Sequence, residues 1–441
     1  MTESSKSASA PSRTSNDHNQ PTMGFWKCWA MAVGVMVGSG IFLLPAVLAP
    51  YGSISLLGWL VTSIGAVCLA LVLGRLANHT DGSGGPYAYA RNAFGDLAGF
   101  LIAWGYWISV TLAVTAVSIA FAGYLGTLVP ALGASNLSQS LVALLAIWLL
   151  TAINVRGIAE ASSVQLILTL LKLIPLIVII MLGFVAGSTE TLPAFNPGQL
   201  PVGEAIAATA LLTMWAFAGA EAAVIPAADV IDAKRTIPRA VFWGSLTVAG
   251  LYILVAVAVM LLVPADVLAT SEAPFVEAAK ALGPWGAAFI GFGALLATAG
   301  SLNGNILVSG QMPMAVALDG LAPRRLARRN KGNAPAFALI FTAVLSSLLL
   351  GLNMSENLIG AFTFLISTST LCVLLPYAVS ALAELKYSWK SARGWGLIAC
   401  LTVVYMIIAA SGSGLKVLLW GAVLIGAGVP LFYFFKHKAP R

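Results

Sequence analysis

Val33-Gly34-Val35-Met36-Val37-Gly38-Ser39-Gly40-Ile41-Phe42-Leu43-Leu44-Pro45 is apolar enough to lie in a bilayer, yet too rich in glycine to run as an unbroken helix. A second stretch has the same character. Trp215-Ala216-Phe217-Ala218-Gly219-Ala220-Glu221, with Pro226 after it, places small residues and an acid inside another apolar run. Each reads as a helix that breaks in mid-span. A helix restarting after the first break aims free N–H groups and a positive dipole end at the gap, where a carboxylate fits. The second break should offer orphan carbonyls, which suit an ammonium group. Together they would read the backbone of an amino acid. Close helix packing by small residues is the plainer explanation of either stretch alone. The matched pair favours a site.

Around these stretches the 441 residues are 59 % hydrophobic and 9 % charged. A soluble domain carries about 25 % charged residues, so a bilayer must solvate most of this chain. Twelve apolar segments reach spanning length: 25–49, 53–77, 97–129, 138–155, 163–187, 204–230, 240–263, 285–317, 335–352, 357–384, 395–411 and 415–436. The predicted fold is an all-α polytopic membrane protein. One transporter domain covers 24–436, with a disordered tail over 1–23 and a short tail over 437–441. The broken segments are the first and the sixth, the opening members of two five-span halves, about 25–187 and 204–384. Odd repeat length gives the halves opposite orientations, as in many secondary transporters. Segments 395–436 are then two extra helices.

With both termini and the even-numbered connections placed on one side, nearly all of the 23 basic residues collect there. Lys280 and Lys416 fall opposite, and Lys172 lies inside a span. The positive-inside rule therefore predicts cytoplasmic termini. The net charge of +7 is accounted for by that leaflet, and no nucleic-acid partner is expected. Cys28, Cys68, Cys372 and Cys400 lack metal-ligand spacing and read as reduced packing residues. His18, His79 and His437 lie outside the spans, and no nucleophile-elbow, metal or phosphate-loop motif occurs. No enzyme, cofactor or ATP site is predicted.

Gly38-Ser39-Gly40-Ile41-Phe42-Leu43-Leu44-Pro45 resembles the first-helix motif of the amino acid–polyamine–organocation transporters. Gly84-Gly85-Pro86-Tyr87-Ala88-Tyr89-Ala90-Arg91, Trp215 to Glu221, and Asp319-Gly320-Leu321-Ala322-Pro323 are similar to three further motifs of that family. The resemblance runs from about Phe25 to the C-terminus. It implies five plus five inverted repeats, alternating access, a bacterial inner-membrane location and, as an option, a homodimer. It also implies roles for single residues: Ser39 and Gly40 at the carboxylate, Tyr106 in the third helix, Trp215 as an aromatic gate, and Glu221 as a proton-sensitive carboxylate. Ser369 and Tyr377 in the tenth helix and the gating Tyr87 match as well.

Three positions depart from the family's arginine/agmatine antiporters. Val35 and Val114 replace asparagines, and Asn305 replaces a tryptophan that stacks on the guanidinium. Val35, Val114, Asn305 and Ser369 then shape the side-chain pocket, with the amino group near Ala216 and Gly219. The departures lead to an expected neutral amino acid substrate, with a basic amino acid/polyamine antiporter as the alternative. Lys172, mid-span in Leu170-Leu171-Lys172-Leu173-Ile174-Pro175, resembles the fifth-helix lysine of sodium-independent carriers. An ionisable group at that depth costs about 3 kcal/mol or more, so Lys172 and Glu221 are expected to be functional. The expected partners are a small amino acid and the lipid bilayer.

Overall fold

The computed structural model describes residues 21–80, 84–271, 273–352, 358–389, 392–412 and 414–438. The tail before them lies outside the described residues. Twelve apolar crossings run in order. The first is split into Phe25–Met36 and Ser39–Leu48, and Ser55–His79, Asp96–Leu128, Asn136–Arg156 and Ile158–Ala186 follow. The sixth begins as Val202–Phe217, followed by Ala233–Leu262, Pro284–Leu318, Ala336–Leu352, Leu358–Ser388 and Arg393–Ser411. The last is a pair, Gly414–Gly426 and Gly428–Lys438. The chain is thus a multi-pass α-helical membrane protein.

The side chains are sorted as a bilayer requires. On the fifth span Ile167, Leu170, Ile174, Ile177, Met181 and Phe184 face outward, while Gln165, Thr169 and Lys172 are buried. Water would reverse that order. Helices approach closely where side chains are small. A Cβ on Gly183 would fall 2.6 Å from the Ala258 Cα, and one on Gly58 would fall 2.7 Å from the Thr209 Cβ.

Packing follows the inverted repeat. The second span lies against the seventh and the third against the eighth. The fifth packs on the eighth and the tenth on the third; the first packs on the seventh and the sixth on the second. Exchanging each span for the one five places away maps these contacts onto themselves.

Two further segments are interrupted, the sixth span as its sequence leads one to expect and the last against expectation. The stretch 204–230 stays helical only to Phe217, then continues as short 3-10 turns, Ala220–Ala223 and Ala227–Asp229. Gly219 at φ +127° leaves the helical region, and Pro226 has no N–H to rebuild the ladder. The stretch 415–436 is interrupted at Ala427, where the ring of Pro430 would meet the carbonyl four residues before it.

Candidate functional site

The first break is built by the backbone. Phe25–Met36 ends at Val37, Gly38 adopts φ −139°, ψ −146°, and the next helix opens at Ser39. A helix C-terminus leaves four carbonyls without partners. Here side chains from three other spans take them. Lys172 Nζ donates to the Gly34 and Val37 carbonyls. Ser301 Oγ donates to the Val35 carbonyl at 3.0 Å, and Tyr252 Oη donates to the Met36 carbonyl at 2.7 Å. Tyr252 also lies 3.1 Å from the Ala216 carbonyl, so one phenol touches both broken helices.

At the second break the Gly219 N–H donates to the Glu221 Oε2 at 3.1 Å and lies 3.3 Å from the Tyr377 hydroxyl. Tyr377 in turn donates to Glu221. Tyr106 lines the same cavity as this carboxyl. Glu221 is 3 % exposed, so each of these donors replaces water around it.

Between the breaks lies a small cavity of about 30 Å³. Its wall includes Val35, Gly40, Tyr106, Trp215, Gly219, Glu221, Asn305 and Ser369, all singled out from the sequence. Gly40 is required by contact: an added Cβ would sit 3.0 Å from the Trp215 ring and 3.2 Å from the Ala216 Cα. Asn305 Nδ2 donates to the Ser301 carbonyl at 2.9 Å. The Ser369 and Ser109 hydroxyls lie 2.9 Å apart and join the third and tenth spans.

Other expected residues lie elsewhere. Val114 is buried but absent from the wall; Val110, Ala113 and Val117 line it instead, because 114 is turned off that face of the helix. Ala216 offers its carbonyl to Tyr252 rather than to the cavity. Lys172 sits behind the first break, fully buried. The Ser39 backbone opens the second half-helix, and its side chain lies outside those described. Sequence reasoning missed Tyr252 and Ser301. A mid-span tyrosine and a serine on the eighth span were the available signals.

Tyr87 belongs to a separate cluster at one end of the bundle. Its hydroxyl donates to Asp319 Oδ2 at 2.6 Å, and Arg91 pairs with the same oxygen at 2.7 Å and with Asp96 at 2.8 Å. Burial and the neighbouring Asp319 hold the Tyr87 phenol well above its ordinary titration range. Nearby, Arg329 contacts Asp229 at 3.3 Å, and Asn333 donates to that carboxylate at 3.2 Å. The Thr22 and Met23 N–H groups both donate to the Asp229 carbonyl, and Ile231 N–H donates to the Met23 carbonyl. These contacts tie the elements at that end of the bundle together. On the other side of the cavity, Phe42 packs against Tyr124 and Phe275 with ring centroids 5.9 and 4.8 Å apart.

A sequence model of the amino acid permease family matches residues 23–435. The chain belongs to this family. It is a membrane transporter, not an enzyme. A protein of Bacillus subtilis (strain 168), whose name contains the words arginine/ornithine antiporter, is 33 % identical over 94 % of this chain and 97 % of its own length. The cadaverine/lysine antiporter of Escherichia coli (strain K12) is 31 % identical over 93 % of this chain and 94 % of its own. The arginine/ornithine antiporter of Pseudomonas aeruginosa is 31 % identical over 93 % and 90 %. These relatives are named for basic amino acids and a diamine, which overturns the expected neutral substrate. The error has a physical source. Val35, Val114 and Asn305 remove two asparagines and one aromatic, while the same cavity keeps the Trp215 and Tyr106 rings and the Glu221 carboxyl.

Proposed function

We propose that this permease exchanges one cationic amino acid or diamine for another by alternating access. The observation that carries the reading is Glu221. It is the only acidic side chain among the described residues lining the cavity, and no lysine, arginine or histidine lines it with Glu221. A buried carboxyl in a cavity lined by no cation favours a positively charged guest. The names of the relatives support the same class. In this reading the substrate carboxylate meets the N–H groups of the turn that opens at Ser39, and Gly40 allows the close approach. The amino group lies near the Ala218–Gly219 backbone. Trp215 and Tyr106 offer ring faces to a cation. The clusters around Tyr87 and Asp229 form one gate, and Trp215 with the Phe42 cluster forms the other. The protein sits in the bacterial inner membrane with both termini in the cytoplasm, as the basic residues favour.

Proteoliposomes loaded with unlabelled ornithine or cadaverine test the proposal. Labelled arginine or lysine should enter loaded vesicles and not empty ones, and a neutral amino acid should neither enter nor compete. Equal uptake into empty vesicles would remove the exchange. Failure of every cationic substrate would remove the substrate class.

A further inference from the structure

Outside the central cavity, the third, eighth, ninth and twelfth spans enclose an apolar groove of about 460 Å³. Trp104 and Trp107 form one wall. Their polar edges are used: Trp104 Nε1 donates to the Leu424 carbonyl and Trp107 Nε1 to Thr342 Oγ1, both at 3.0 Å. The opposite wall carries Phe337 and Phe341, parallel within 3°, and Trp107 stacks on Phe341 within 6°. Phe337 is 48 % and Phe341 42 % exposed. The groove is therefore lined by flat ring faces with their hydrogen-bonding groups turned away.

Its mouth has the opposite character. Arg325 lines the groove, and Arg324 and Arg328 are exposed beside it on the same turn. Among the described residues none of the three forms an ion pair, whereas Arg329 in the same run is held by Asp229. Three free guanidinium groups over a slot of hydrocarbon shape call for a ligand with an anionic head and an aliphatic tail. The slot runs from Phe337 to Leu345, two helical turns or about 12 Å, which accommodates roughly half of an extended acyl chain.

We propose that this groove is a binding site for an anionic phospholipid, its phosphate on Arg324, Arg325 and Arg328 and one acyl chain laid along the exposed rings of Phe337 and Phe341. Charge complementarity selects the head, because guanidinium groups pair with phosphate oxygens in a fixed fork.

Native mass spectrometry of the full chain in detergent, with phosphatidylglycerol and phosphatidylcholine added in equal amounts, tests this. The wild type should retain one phosphatidylglycerol in clear preference. The triple substitution Arg324→Ala, Arg325→Ala, Arg328→Ala should lower that preference by about fivefold per arginine. Leu345→Trp, at a half-buried position in the slot, should reduce retention of both lipids. Equal retention of the two lipids by the wild type would overturn the proposal, as would a preference that survives the triple substitution. Leu345→Trp shifting the dimer fraction with lipid retention unchanged would assign the groove to a second copy instead.

Discussion

The Lys172 ammonium, in the middle of the fifth span, caps the broken first helix by donating to the carbonyls of Gly34 and Val37. A cation at a helix C-terminus is favoured by the dipole, and this one is fully buried. Lys172 acts on the shape of the first break rather than on the cavity, whose wall it does not join.

Lys172→Met should leave both carbonyls without a donor. Each bond to a charged group is worth about 1.5–3 kcal/mol, so loss of thermal stability by several degrees should accompany at least a tenfold fall in exchange. Melting in detergent and counterflow in vesicles measure the two. Wild-type values for both would show that the contact is dispensable.

Tyr252→Phe removes one hydroxyl that touches Met36 and Ala216 together. The ring keeps its packing on Trp59 and Phe217, so the cost should be confined to about 1–2 kcal/mol of polar contact. Exchange should slow by roughly tenfold with normal expression. If rate and affinity both stay at the wild-type level, the two half-helices are held in register by other means.

Gly219→Ala meets two obstacles. Its φ of +127° is costly for any residue with a Cβ, and that atom would lie 2.5 Å from Val35 Cγ1. Backbone strain alone is worth about 1–3 kcal/mol. Adding Val35→Ala should recover only a small part of the loss, because it removes the Cγ1 contact but leaves the Val35 Cβ at 2.9 Å, the Met36 nitrogen at 3.1 Å and the strain. Full recovery in the double variant would mean that the backbone conformation costs little.

Glu221→Gln keeps the shape and removes the charge. Uptake of arginine or lysine should drop about 100-fold, in line with about 3 kcal/mol for a buried ionic partner. The pH dependence of the remaining exchange should flatten. Unchanged cation exchange across pH would exclude Glu221 as the countercharge.

Much of this site was legible because glycine and apolar length are local signals. Gly38, Gly40 and Gly219 announce the breaks, and long apolar runs announce the spans. The rest depends on partners far away in sequence. Tyr252 and Ser301 cap carbonyls more than 200 residues away, and no periodicity marks a side chain for that task. Val114 illustrates a smaller limit. A single step along a helix rotates a side chain by about 100°, enough for its neighbour Ala113 to line the cavity while Val114 does not. Substrate charge is not legible from Val35, Val114 and Asn305 alone, because the ring faces of Trp215 and Tyr106 and the Glu221 carboxyl share the cavity.

The contact between Thr22, Met23 and the 229–231 segment is made by main chain on both sides. Such a seam carries no side-chain identity. Alanine at Thr22 would leave these backbone bonds in place, while a proline at Met23 would abolish the N–H bond at that residue. Amide hydrogen exchange at Thr22, Met23 and Ile231 would therefore act as a clock for opening at that end, read from the polypeptide itself with no label attached.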